Sequence, residues 1–521
     1  MKSLSFLCLM LFTLSSHAVE QKKPNIIFLL ADDLRWDSLE HLSDLGLKTP
    51  NLDKLAQKSV RFTKSYNTTA ICMASRAIYT TGLNEFTTGT NFTHGNMNYD
   101  TWQQSYPAVL KRNGYYTGFL GKFGFHVNKK SGKKGKEEVV KGDFDYWGAW
   151  SGQGSYQAAK NPAAEAWIKH FDNKREHTTH ALGLMGADFI ERAKASGKPF
   201  NLSVSFKAPH TPYIIDSRYK DIYKNQEFNK PGNFGVDENA PKHALSGRPA
   251  HIGKKWLKNY QESMYNYHSL VYGLDQAVGR ILNALEVEGV SDNTVVIFAS
   301  DNGHFNGSKG LGGKLYSYQE GTLSPTMIYD PRRKSASDYE TTDVLSGSID
   351  IAPTILSLAQ VPVPEGVQGK SMLPVLTTKK SEQTDTMLHD SLLLMHVWGE
   401  ASAQSLAVVT PTHKYVHWFY GGEGFERTEE LFDLSKDVLE QNNLAASIEA
   451  KPVLKAMQAK YDNWLNTWAE QGVKDREYPK YLKIADRHTP FSEVTPAEIK
   501  AMYPGKEPKK KKNKKDKNKH L

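Results

Sequence analysis

Residues 24–33 read PNIIFLLADD. A strand that is apolar on both faces cannot turn either face to water. It belongs inside a mainly parallel sheet with helices on both sides. Three more runs share this character: YYTGFL (115–120), FNLSVSF (200–206) and TVVIFAS (294–300). Helical stretches fall between them, namely TPNLDKLAQKSV (49–60), SYPAVLKRNG (105–114) and YHSLVYGLDQAVGRILNALEVEG (267–289). Alternating strand and helix predicts a doubly wound α/β layer. DIAPTILSLAQ (350–360) reads as its closing helix, which puts the main domain at 19–376. A polar linker is expected over 377–390. LAVVT, HKYVHWFY and ELFDLSKD then predict short strands of a smaller antiparallel sheet within 391–490, with a packed helix over 451–471.

The residues just past each strand carry the chemistry. After 25–31 come Asp32 and Asp33; after 115–120, Gly121 and Lys122; after 200–206, Lys207 and His210; after 294–300, Asp301, Asn302 and His304. Ligands of such sheets bind outside the carboxyl ends of the strands. Four strands thus deliver acids, an amide, lysines and histidines to one edge. Asp32, Asp33, Asp301 and Asn302 offer only oxygen donors, which suits a hard cation such as calcium or magnesium. Adjacent carboxylates also need positive charge nearby to stay ionised. The bland reading of "DD" and "DNG" is that both are turn formers.

The ends of the chain carry other signals. MKSLSFLCLMLFTLSSHA (1–18) has a lysine, an apolar run too short to span a bilayer, and small residues at Ser16 and Ala18. That predicts a secretory signal peptide, an exported protein in the periplasm or outside the cell, and no membrane span. The net charge is +9, but KEPKKKKNKKDKNKHL (506–521) holds nine lysines and two acids, leaving +2 for the rest. The tail is expected to be a disordered, solvated terminus, and a nearly neutral body argues against nucleic acid as a partner. The chain has two cysteines, Cys8 and Cys72, and Cys8 falls in the leader. No disulfide can form within the mature chain, so its stability rests on an ordinary core.

The remaining cysteine stands in TTAICMASRAIYTTG (68–82). Cys72, Ala74, Ser75, Arg76, Thr81 and Gly82 resemble the signature of the formylglycine-dependent (type I) sulfatases of the alkaline phosphatase superfamily. PNIIFLLADDLRWD (24–37), GYYTGFLGK (114–122), APHTP (208–212), SDNG (300–303), LGGKLYSYQEG (311–321), DIAPT (350–354) and ELFDLSKD (430–437) look like family blocks in family order. The resemblance implies an alkaline-phosphatase-like α/β sandwich and the hydrolysis of sulfuric esters. It implies that a separate maturation enzyme oxidises Cys72 to formylglycine. It implies a divalent cation, calcium rather than magnesium, held by Asp32, Asp33, Cys72, Asp301 and Asn302. An activated oxygen nucleophile beside a cation clamp is what sulfate-ester cleavage needs. A helix starting at Cys72 would add its positive end.

The other roles carried over are Arg76 at the hydrated aldehyde, Lys122 and Lys314 on the sulfate, and His210 beside the leaving oxygen. Lys207 is a further substrate-contact candidate, and Ser151 and Gln153 of SGQGSY (151–156) are candidate donors. One position departs from the family pattern. Its histidine two residues after the lysine is replaced by Gly124, and His126 takes the role, with His94 and His304 as alternatives. Trp147, Trp150 and Tyr156 are expected to stack on sugar, and the basic loop KKSGKKGKEEVVKG (129–142) to rim an anionic site. These features favour a sulfated polysaccharide or oligosaccharide as substrate. The alternatives are a phosphomonoester or phosphodiester hydrolase on the same fold, and a sulfated-glycan-binding protein.

Overall fold

The structure is a computed structural model that describes residues 22–42, 45–161, 176–333, 340–378 and 386–502. The expected leader, the Lys-rich tail and half of the expected linker (379–385) lie outside these residues. The described strands are β1 (Asn25–Asp32), β2 (Val60–Phe62), β3 (Ser65–Tyr66), β4 (Tyr116–Lys122), β5 (Tyr146–Trp150), β6 (Phe200–Pro209), β7 (Thr294–Ser300), β8 (Met327–Tyr329), β9 (Thr341–Thr342), β10 (Ser346–Gly347), β11 (Leu392–His396), β12 (Ser405–Val409), β13 (His413–Trp418) and β14 (Thr428–Asp433). Eight form one sheet in the order β5-β4-β6-β1-β7-β8-β2-β9. The four apolar runs of the sequence are its contiguous centre, β4-β6-β1-β7. All pairings there are parallel, and β8 is the antiparallel exception.

The strands are apolar throughout because helices cover both faces. Ile27, Leu29 and Ala31 of β1 pack into one core with the Thr178–Ala195 and Tyr260–Val287 helices. Ile26, Phe28 and Leu30 pack into a second core with the Tyr106–Arg112 and Ile351–Leu358 helices. The longest helix begins seven residues before the expected 267. Parallel register then aligns the carboxyl ends. Ala31 pairs with Ser300, Gly121 with Ser205, and Asp32 with Pro209. The residues after these strands therefore emerge side by side.

β11 to β14 form a separate antiparallel sheet in sequence order. β11, LLLMH, is apolar on both faces and adds a strand to the three expected ones. Both faces of this sheet are covered. Leu393, Met395, Leu406, Val408 and Tyr415 meet Met457, Tyr461, Leu465 and Trp468 of the Lys451–Gln471 helix, which spans the predicted residues. Leu392, Leu394, Val416, Trp418 and Phe432 meet Leu311, Leu315, Tyr316 and Tyr318, from the segment after β7.

A charge pair pins that contact. Lys414 Nζ lies 2.7 Å from Glu440 Oε1, both fully buried, and donates to Ser317 O at 2.7 Å and Gln319 Oε1 at 2.9 Å. Removing one partner of a buried pair strands the other charge, at a cost of about 3–5 kcal/mol. The Lys414→Ala variant is therefore expected to lose roughly 3 kcal/mol of unfolding free energy by urea titration, with Glu440→Gln in the same chain recovering part of the loss.

Candidate active site

Cys72 opens a ten-residue helix, Cys72–Thr81, buried along its whole length. Its thiol is 3.5 Å from Asp32 Oδ1, and Lys314 Nζ is 2.7 Å from its sulfur. Burial, reinforced by the charge of Asp32, pushes the thiol up to about 11. At neutral pH it stays protonated, so the unmodified side chain is a poor nucleophile.

Around it lie three carboxylates and three cations. Asp32 ends β1, and Asp33 follows in a left-handed conformation (φ 67°) that few non-glycine residues adopt. Lys122 Nζ donates to Asp32 Oδ2 at 2.5 Å and to Gln153 Oε1 at 2.7 Å. Lys314 pairs with Asp33. Arg76 donates to Asp301 Oδ2 at 2.8 Å and to Lys122 O at 2.6 Å, and lies 3.4 Å from Asp32 Oδ2. Burial raises the Asp32 carboxyl, but Lys122, His210, Arg76 and Lys314 outweigh it and hold the group well below the carboxylate range. Asp301 goes the other way, to about 6, because burial and the charge of Asp32 exceed what Arg76 returns.

The residues fit a divalent cation. Ligand atoms of Asp32, Asp33, Cys72 and His210 lie within 4.8 Å of one another. Asn302 donates through Nδ2 to Asp33 Oδ1 at 2.7 Å, while its Oδ1 is buried with no donor among the described residues. An oxygen acceptor left over beside two carboxylates is what a hard cation takes. Asp301 adjoins the group through the Asp33 N–H, 3.3 Å from its Oδ1. His210 comes close as well, its Nε2 3.8 Å from Asp33 Oδ2. Its expected place is at the substrate, outside the ligand set.

The cluster forms the floor of a cleft of about 400 Å³, lined by Cys72, Gln153, His210, His304 and Lys314 among others. Lys207 lies just behind, its Nζ 5.2 Å from the centre of the Tyr156 ring and donating to Thr211 O at 3.2 Å. Burial and repulsion by Lys122 bring it down to about 8 against the pull of Asp32. Of the three histidines weighed for the family position, His304 is the one on the cleft wall. His94 packs between Tyr478 and Tyr481 and bonds to Val397 O, away from it. His126 is not among the cleft-lining residues, and its carbonyl accepts from the Met97 N–H.

A side chain at 124 would crowd Arg76 on this backbone. Gly124 sits at φ 85°, and a Cβ there would stand 2.5 Å from Arg76 Cδ. The sugar-stacking expectation is corrected too. Trp150 and Tyr156 are fully buried, and Trp147 packs among Phe119, Phe123 and Phe144. Nor do the exposed lysines of 129–134 line the cleft. Its aromatic wall comes instead from Phe92, Tyr213, Trp256 and Trp398. These lie in four separate segments without a shared motif, so no local pattern announces them.

Displacing Arg76 from this packing is expected to disable the site. A Gly124→Ala variant should remain folded by circular dichroism while losing about 10²-fold in kcat/KM on an aryl sulfate, the usual scale for an ångström-sized misplacement.

Comparisons with known proteins identify the family. The Sulfatase family model matches residues 24–361, and the model for the C-terminal part of N-sulphoglucosamine sulphohydrolase matches 307–466. An N-acetylglucosamine-6-O-sulfatase of Bacteroides thetaiotaomicron is 26% identical over 503 residues, covering 84% of this chain and 86% of that protein. An ulvan-active sulfatase of Formosa agariphila is 25% identical over 476 residues, covering 89% and 84%. Among solved structures, one in complex with its substrate D-glucosamine-2-N,6-O-disulfate superposes with a TM-score of 0.71 at 23% identity, covering 86% of this chain and 99% of that one. The chain belongs to the sulfatase family, the sulfuric ester hydrolases of the alkaline phosphatase superfamily.

Proposed function

We propose that this sulfuric ester hydrolase removes sulfate from a sulfated carbohydrate outside the cytoplasm, using formylglycine made from Cys72 by a separate maturation enzyme. The observation that carries the reading is Cys72 itself. It is a buried thiol at a helix start, on the floor of a cleft, within reach of Asp32 and Lys314. The hydrated aldehyde would supply an oxygen nucleophile at that point. Asp32, Asp33, Asp301 and Asn302 would hold a divalent cation, an all-oxygen set that suits calcium or magnesium, with calcium favoured by the family resemblance, supplying positive charge against the sulfate oxygens.

The chain's own residues do the rest. Lys122 and Lys314 face the nucleophile position and can each donate to a sulfate oxygen. Arg76 keeps Asp301 and Asp32 ionised and oriented. His210, at the cleft wall beside Asp33, is placed next to the departing alcohol, where burial brings it down to about 4 and keeps it neutral, and His304 is available for the release of sulfate. Gln153 fixes Lys122, and Lys207 adds positive charge from behind. The 19–376 unit carries this chemistry, and the 391–490 unit supports the loop bearing Lys314. No helix among the described residues is long and apolar enough to cross a membrane. Supporting the carbohydrate half are the similar N-acetylglucosamine-6-O-sulfatase and ulvan-active sulfatase.

Mass spectrometry of the peptide bearing residue 72 from the native host is expected to show loss of the thiol and gain of an aldehyde. An intact thiol throughout would remove the mechanism. The Cys72→Ala variant is expected to release no sulfate from a panel of sulfated glycans. Wild-type protein should cleave 4-nitrophenyl sulfate faster than 4-nitrophenyl phosphate, and the reverse order would make it a phosphatase. Chelation should abolish sulfate release, with calcium restoring it better than magnesium.

A further inference from the structure

Behind the cleft the buried cluster balances its own charge, with Asp32, Asp33 and Asp301 against Arg76, Lys122 and Lys314. The wall does not. Arg248 and Lys255 both line the cleft, and Asp33 is the only acidic residue that does. Both cations are exposed, and neither forms an ion pair among the described residues. Glu400 accepts from the Arg248 backbone N–H at 3.3 Å.

The two residues stand seven apart on the Arg248–Lys258 helix, two turns along one face and about 10 Å apart on its axis. That helix is locked to the loop bearing Lys314. Gly253 approaches so closely that a Cβ would fall 1.9 Å from Gly310 O, and Gly312 N donates to Pro249 O at 2.9 Å. The distance from the sulfate-holding lysine to the two wall cations is therefore fixed by backbone packing.

Two aromatic rings adjoin Arg248. The Arg248 guanidinium lies over the half-buried Trp398 ring at 5.9 Å, and Phe92, 45% exposed, stands 6.0 Å from the same ring, tilted by 54°. An aromatic pair beside an open cation pair is poorly suited to a small neutral alcohol. It suits a sugar ring carrying charge.

We propose that Arg248 and Lys255 form a second anion subsite. The substrate then bears, besides the sulfate that is cleaved, a further anionic group, carboxylate or sulfate, with its sugar seated on Phe92 and Trp398. This rests on the sulfated-carbohydrate reading above. Arg248 and Lys255 are specificity residues, since they lie off the reacting centre.

The test uses the matured full-length protein and three probes: N-acetylglucosamine 6-sulfate, with one anion; glucosamine 2-N,6-O-disulfate, with a second sulfate; and a disaccharide joining a uronate to 6-sulfated N-acetylglucosamine, with a carboxylate. Each is measured for kcat/KM, and for Kd by calorimetry on the Cys72→Ala variant. At least one doubly anionic probe is expected to exceed the singly anionic one tenfold or more, through KM, with the advantage shrinking as salt is raised. Which probe wins identifies the source of the anion. The Arg248→Ala, Lys255→Ala double variant is expected to lose that ratio tenfold, and Lys255→Arg to keep it. An equal ratio in wild type and double variant, or no preference in wild type, overturns the subsite. Failure to cleave any probe would count against the sulfatase reading, and the Kd ratios would still decide the subsite.

Discussion

One guanidinium ties together the four strands that make the site. Arg76 reaches Asp301 after β7, Asp32 at the end of β1, the carbonyl of Lys122 at the end of β4, and Ser205 and Phe206 O in β6. Its planar fork can satisfy several oxygens at fixed angles, which a lysine ammonium cannot do. It is also almost fully buried, so each of those oxygens has exchanged water for this one group. A buried network of this kind is costly when half made and specific when complete. It sets the spacing between Asp32 and Asp301, and with it the frame in which a cation, a nucleophile and two lysines can converge.

That frame is legible in the sequence to the extent that it depends on local pattern. The four apolar runs become four adjacent strands because continuous apolarity has one stable home, between two helical layers. The acids and lysines after them meet because parallel register aligns strand ends. Cys72 and Arg76 share a helix, so their four-residue spacing already places them on one face. Features that depend on the path of irregular backbone are not legible. The segment after Lys122 turns through Gly124 against Arg76, a close approach that spacing does not encode, and so His126 is carried off the cleft. Trp150 and Tyr156 read as exposed aromatics, but Trp150 ends a sheet strand and Tyr156 packs against His177. The actual aromatic wall joins Phe92 to Trp398, more than 300 residues apart, and only the fold reveals it.

The smaller sheet explains how an irregular loop can hold Lys314 still. Lys314 lies in a segment without regular structure after β7, and such segments are ordinarily mobile. Here Leu311, Leu315, Tyr316 and Tyr318 are buried against β11 to β14, and Lys414 and Glu440 clamp the backbone at Ser317 and Gln319 from the same sheet. The segment thus gains a hydrophobic underside and satisfied backbone groups without becoming a helix or strand. By its sequence pattern the C-terminal unit is an appendage with its own core. Its second apolar face instead makes it the support of the loop carrying Lys314.

Cys72 shows most sharply how burial and chemistry constrain each other. In the folded protein it is 1% exposed, and its thiol is held protonated by the same desolvation that strengthens the ion pairs around it. A thiol so placed neither ionises readily nor admits a large partner to its sulfur. If residue 72 is converted by another enzyme, that enzyme must act on the chain before the Cys72–Thr81 helix is enclosed by the sheet ends and by the loop carrying Lys314. On that reading conversion would precede closure of the sheet and its C-terminal support, and a cation would bind only once Asp32 from β1 and Asn302 after β7 have come within reach of one another.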